Sequence, residues 1–232
     1  MSALSLVGDP AVFWYLNRAS GLALLVLFSA SLLLGQLVTA RTTSDLVPRF
    51  VTLELHRDVS LVALLLLGLH VLTGVLDGYL DIAPLDAVVP LRWSYRSVWL
   101  SLGTLALDVF GAVVLTTALR HRIAPTGWRA VHLLAYLAWP LALLHGLGAG
   151  TDTRQQLALL VTFVCIMLVV FGLLVRIAML SGLPRGARPV LNLLVLAMPL
   201  LTSVWLRAGP LQPDWSGRVG IPAPVSSPSG VR

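Results

Sequence analysis

The sequence predicts an all-α integral membrane bundle of six transmembrane helices, and three observations lead there. Of 232 residues, 57% are hydrophobic and only 11% charged, whereas about a quarter of a soluble domain is charged. The apolar residues gather into six runs, each close to the ~20 residues that a helix needs to cross ~30 Å of hydrocarbon. Turn-forming and charged residues collect between those runs, as they do in membrane-protein loops.

The first run, Ala11–Ala40, has no basic region ahead of it and is interrupted by Arg18, so it reads as a retained helix and not as a cleaved signal peptide. Glu54–Tyr79, Val98–Leu119, Trp128–Gly148, Gln156–Leu180 and Val190–Arg207 follow. Residues 1–208 thus form one membrane unit. Residues 209–232 are rich in Pro, Ser and Gly, a composition that buries too little apolar surface to offset ordering, and are expected to be a disordered tail.

All 16 basic residues are Arg, and they give a net charge of +6 against 10 acids. They lie scattered between apolar runs, which excludes the one-sided basic patch of a nucleic-acid binder. The first, third and fifth loops with their flanks hold Arg41, Arg49, Arg57, Arg120, Arg122, Arg129, Arg176, Arg185 and Arg188; the second and fourth hold Arg92, Arg96 and Arg154. The positive-inside rule therefore makes the odd loops cytoplasmic and places both termini outside. The lone Cys165 rules out an intrachain disulfide, an iron–sulfur ligand set and a CxxCH haem attachment.

The chemistry sits in the histidines. Four of five lie in two apolar runs, His56 and His70 in the second, His132 and His145 in the fourth. Both helices start from a cytoplasmic loop, so they run parallel, and His56 matches His132 in depth as His70 matches His145. The two levels are about 20 Å apart at 1.5 Å per residue. Neutral imidazoles from two facing helices suit the axial positions of haem iron; two histidines per level without cysteine or a nearby carboxylate make a poor four-coordinate zinc site. Fourteen residues bring His56 and His70 within about 40° of one face, but thirteen leave His132 and His145 about 140° apart. Pro140 lies between the latter pair, and a proline kink is expected to re-aim His145. The competing reading is a haem-free transporter or scaffold with satisfied polar residues in its core.

These His spacings, with Asn17-Arg18-Ala19-Ser20-Gly21 in the preceding helix, resemble the ferric reductase-like transmembrane domain, which is shared with the NADPH oxidases and with the haem subunit of the bacterial methionine sulfoxide reductase system. The resemblance covers about Tyr15 to Ile177. It implies two stacked b-type haems in a bacterial cell membrane, His56 and His132 holding the inner one and His70 and His145 the outer one, and electron transfer from the cytoplasmic to the outer face. The oxidases continue into a flavin and nicotinamide domain, whereas here Ser181–Pro189 leads to a sixth span, and no phosphate-cradling glycine motif occurs. The donor is then a separate protein or a membrane quinol. Ferric iron, oxygen or an exported flavoprotein remain open as acceptors, and the chain reads as the oxidoreductase haem subunit of a larger system. Some oxidases place an aromatic residue six positions after the inner ligand; here Ala138 stands there and Trp139 follows.

Charges inside spans are costly and call for partners. Arg18, near the depth of His70 and His145, is suited to a haem propionate through its bidentate fork. Arg57 and Arg129 fit either the same role at the inner face or positive-inside anchoring. Asp77 and Asp108 are open as partners of Arg18 or as proton carriers, and His121 reads as an interface residue. Trp14, Tyr15, Tyr79, Trp93, Tyr95, Trp99, Trp128 and Trp205 lie mostly at span ends, as an aromatic belt does.

Overall fold

The computed structural model describes residues 10–40, 48–76, 88–90, 97–150, 152–184 and 186–215. Among them the chain is helical, with no strand. The helices are α1 (Pro10–Ala40), α2 (Arg49–Leu76), α3 (Ser97–Ala118), α4 (Pro125–His132), α5 (Ala135–Ala149), α6 (Gln156–Met179) and α7 (Ala187–Ala208). The short α4 and α5 together make one crossing, Pro125–Ala149, so six segments of 21 to 28 residues are long and apolar enough to cross a bilayer. The chain is a multi-pass membrane protein.

Helix ends differ from the hydropathy limits where proline or glycine sets them. Helix α2 begins at Arg49 instead of Glu54, because the Pro48 carbonyl accepts N–H groups from Val51 at 3.0 Å and Thr52 at 3.4 Å. Pro125 opens α4 at the first helical turn, where its missing N–H costs nothing. Gly186, at φ 91°, turns the chain into α7 through a left-handed conformation open mainly to glycine.

Two antiparallel hairpins make the centre: α2 packs along α1, and α5 packs along α3. Helix α1 also touches α5 and α6, while α7 rests on α6. The core lies where α1, α5 and α6 meet and contains Leu24, Phe28, Trp139, Leu143, Cys165 and Val169, with Ala63 of α2 against it. Trp139 is 2% exposed, and its indole N–H donates to Ser29 Oγ at 2.9 Å, which satisfies the polar end of a buried tryptophan. Away from this core large apolar side chains face outward, Leu65 at 76% exposure and Leu193 at 68%, as a lipid solvent permits.

Gly209–Trp215, grouped by composition with the tail, folds back on the bundle. The Leu211 N–H bonds to the Leu206 carbonyl at 3.0 Å, and the Trp215 indole donates to the Gly148 carbonyl at 3.3 Å. Its ring joins Trp99 and Trp205, with centroids 5.7 and 6.3 Å away. The rest of the expected tail, Ser216 onward, lies outside the described residues, as do Asp77, Tyr79, Arg92, Trp93, Tyr95 and Arg96.

Candidate functional site: two facing histidine pairs

The four membrane histidines meet as expected from their depth. The rings of His56 and His132 have centroids 6.2 Å apart at 78°; those of His70 and His145 are 6.5 Å apart at 83°. An imidazole–imidazole hydrogen bond, at ~2.9 Å between nitrogens plus ~1.1 Å from each to its ring centre, would bring centroids to ~5.1 Å. One metal atom between the two, with bonds of ~2.0–2.1 Å, requires ~6.2–6.4 Å. Edge-to-face packing spans this range too, so the tautomers are the sharper observation.

Three of the four rings are locked by their Nδ1 atoms. His56 Nδ1–H donates to the Ser31 carbonyl at 2.9 Å, His70 Nδ1–H to the Asn17 carbonyl at 3.0 Å, and His145 Nδ1–H to the Trp99 carbonyl at 2.9 Å. A carbonyl only accepts, so Nδ1 must carry the proton and Nε2 keeps the lone pair. This is the outer-shell arrangement that orients an imidazole and raises its basicity as a metal ligand.

A glycine makes each of these bonds available. Each acceptor carbonyl lies four residues before one: Asn17 before Gly21, Ser31 before Gly35, Trp99 before Gly103. A helical Cβ leans back over the preceding turn and would cover that carbonyl's second lone pair. A Cβ built at Gly21 would lie 3.2 Å from His70 Cε1, and one at Gly35 3.3 Å from His56 Cε1. At Gly103 it would lie 2.6 Å from His145 Nδ1. Gly21 and Gly35 are fourteen residues apart, like the histidines they support, so α1 carries a cradle in register with the ligand pairs on α2.

The Asn17–Gly21 segment now has a local explanation. Asn17 accepts from His70 Nδ1 through its carbonyl and donates from its side chain to the His70 carbonyl at 2.8 Å. Ser20 Oγ stands 3.1 Å from His70 Nδ1, and Gly21 provides the gap. At the other level Ser31 Oγ lies 2.7 Å from Ser60 Oγ, and Ser60 donates to the His56 carbonyl at 2.6 Å.

The fourth ring departs from this pattern. His132 Nδ1 is buried and has no hydrogen-bond partner among the described residues. Its ring stacks on Trp128 at 5.2 Å, and the Trp128 indole donates to Thr117 Oγ1 at 3.3 Å. The irregularity that aims His145 also falls here. Leu133 and Leu134 form a turn between α4 and α5, where Leu134, Tyr136 and Leu137 bond three residues back at 2.9 to 3.1 Å. Such tightening advances the chain about 120° per residue against about 100° in an α-helix, closing part of the 140° gap. Pro140 is inside α5, which runs through it; the break precedes the proline by more than a turn.

Arg18 ion-pairs with Asp152 in the α5–α6 connection, and its guanidinium lies 3.9 Å over the Trp14 ring. Asp152 also accepts from Gln155. Arg57 lies 3.3 Å from its neighbour Asp58, both well exposed. Asp108 is exposed on α3 and His121 is exposed in the turn after it; Asp108 has no ion pair among the described residues. Trp99 and Trp128, grouped with the belt, sit directly on the histidine sites.

Among the described residues no three or more His, Cys, Asp or Glu side chains converge; the chain presents pairs. Comparison with known proteins finds no matching family model, curated protein or solved structure.

Proposed function

We propose that this chain is a di-haem b electron conduit of the ferric reductase-like kind, with one haem between His56 and His132 and a second between His70 and His145. The observation that carries the reading is two facing histidine pairs with three of four Nδ1–H groups tied to backbone carbonyls. Three partly buried imidazoles share one tautomer, which leaves Nε2 unprotonated, and each ring faces a second histidine ring with centroids 6.2 or 6.5 Å away. The helices that supply opposing ligands, α2 on one side and α4 and α5 on the other, lean mainly on different neighbours, α1 and α3. That suits a planar group seated between them.

When bound, the haems supply reversible one-electron chemistry at two depths. The protein's part is to hold the axial nitrogens, exclude water and set the local charge. Trp139, six residues before His145 and seven after His132, fills the interior between the levels with an apolar, polarisable ring. Arg18 places positive charge beside the His70 and His145 pair, and its five N–H donors exceed what Asp152 alone takes up, leaving capacity for a propionate. The arginine distribution supports a cytoplasmic side for the His56 and His132 pair, and the ferric reductase-like resemblance supports a bacterial cell membrane. Electrons then enter from a cytoplasmic protein or a quinol and leave to ferric iron, oxygen or an exported flavoprotein, the chain acting as one subunit of a larger system.

A reduced-minus-oxidised absorption spectrum of the purified protein, with a pyridine haemochrome assay, tests this. Two b-type haems per chain are expected. A full-length, folded protein without haem bands would leave the haem-free transporter or scaffold reading.

A further inference from the structure

The two hairpins repeat one design, and the repeat is broken in one place. In α1 the cradles are Gly21 and Gly35, fourteen residues apart; in α3 the first is Gly103, and fourteen residues on stands Thr117. The carbonyl four residues before Thr117 belongs to Val113, and there it accepts the Thr116 hydroxyl at 3.2 Å. His132, whose turn it would be to use that carbonyl, has a buried Nδ1 with no partner among the described residues. Its ring is held by its face, on Trp128, which is itself fastened to Thr117.

A second difference adds to the first. His56, His70 and His145 sit within continuous helices, whereas His132 is the last residue of the eight-residue α4 and adjoins the Leu133–Leu134 turn. Its backbone can therefore shift without dragging α5 and His145 along. An imidazole without an Nδ1 acceptor is also a weaker donor at Nε2, since the outer-shell bond is what raises ligand basicity.

From these two observations, and resting on the di-haem reading above, we propose that His132 is the exchangeable ligand of its pair, so that the position opposite His56 accepts a small neutral diatomic ligand of the carbon monoxide type. The exchange breaks the bond to His132 Nε2 and forms one to the incoming molecule, with no net transfer of electrons or protons. The ligand is expected to be uncharged, because His56 and His132 both lie within apolar spans, where an anion would pay a desolvation penalty. The His70 and His145 pair, both Nδ1 atoms tied and both on unbroken helices, stays closed.

The test is carbon monoxide titration of the full-length, dithionite-reduced protein, read as a reduced-plus-CO minus reduced spectrum. The expected result is about one CO per two haems. Thr117→Gly opens the Val113 carbonyl to His132 and should raise the CO concentration for half-saturation about tenfold or more, the scale on which outer-shell partners act. Thr117→Ala removes the hydroxyl that fastens Trp128 but keeps Cβ over the Val113 carbonyl, so it should not raise the CO concentration for half-saturation. A protein with two haems and no CO band overturns this inference while leaving the di-haem reading intact, as does CO binding that is the same in Thr117→Gly. Absence of haem altogether overturns both.

Discussion

The imidazole of His145 rests on the bare backbone of Gly103, close enough that a Cβ there would lie 2.6 Å from Nδ1 and 2.8 Å from Cγ. Gly103→Ala therefore cannot be absorbed by a flexible side-chain end, because the obstructing group is a rigid ring bonded to the Trp99 carbonyl. We expect Gly103→Ala to lose most of the haem held by His70 and His145 and about 1–3 kcal/mol of stability, the usual cost of overpacking. Gly21→Ala and Gly35→Ala, with contacts of 3.2 and 3.3 Å, should do less. Haem content and thermal melts of the three variants rank them; an alanine at 103 with full haem content would contradict the cradle.

Each level depends on its own pair of imidazoles. His70→Ala or His145→Ala should lose one haem and keep the other, and His56→Ala or His132→Ala should do the reverse. Pyridine haemochrome assays, with redox titration to show which haem is left, check this. Four variants that all retain two haems would end the assignment.

Arg18 and Asp152 form an ion pair beside the His70 and His145 level, so their removal should push the potential of that haem in opposite directions. Losing the guanidinium favours the more positive, oxidised iron and lowers the potential; losing the carboxylate raises it. Both side chains are partly exposed, at 20% and 29%, so shifts of tens of millivolts are expected, where ~59 mV is a tenfold change for one electron. Arg18→Leu should give a negative shift, Asp152→Asn a positive one, and the double variant should lie between. Arg18→Lys should fall short of full function because an ammonium lacks the planar fork. A redox titration that resolves both haems measures this, and a shift confined to the haem of His56 and His132 would invert the depth assigned to α1.

Direction follows from the arginines. With the His56 and His132 level on the positive-inside face, a membrane-impermeant oxidant should reoxidise the haems in right-side-out vesicles. Reoxidation only in inside-out vesicles would reverse the topology.

The crossings and the histidine partnership were legible in the sequence because both are one-dimensional properties: run length sets a span, and residue count from the loop sets depth. What was not legible depended on lateral contact. The 140° mismatch between His132 and His145 announced an irregularity, but the proline signal pointed to residue 140, whereas the tightened turn sits at Leu133–Leu134. The sequence suits Arg18 to a haem propionate and leaves Asp77 and Asp108 open as protein partners, whereas its protein partner is Asp152, in the six-residue connection 150–155 that only the fold brings beside α1. Gly21 and Gly35 did leave a signal, since their fourteen-residue spacing equals that of His56 and His70; Gly103 did not, because Thr117 breaks its repeat. Trp215 was hidden by the proline-rich composition around it.

The hairpin arrangement bears on how the protein is made. Because α2 leans on α1 and α5 on α3, the first hairpin to enter the membrane carries one nitrogen for each level, and the second carries the complementary nitrogens. On the di-haem proposal, a haem arriving early would find half a coordination sphere, so neither metal position would close until both hairpins had been inserted and brought together. Cofactor capture would then fasten the two halves like a pair of clasps, adding to the core where α1, α5 and α6 meet, and a cell short of haem should accumulate a chain whose crossings are all in place but whose hairpins separate more readily in detergent.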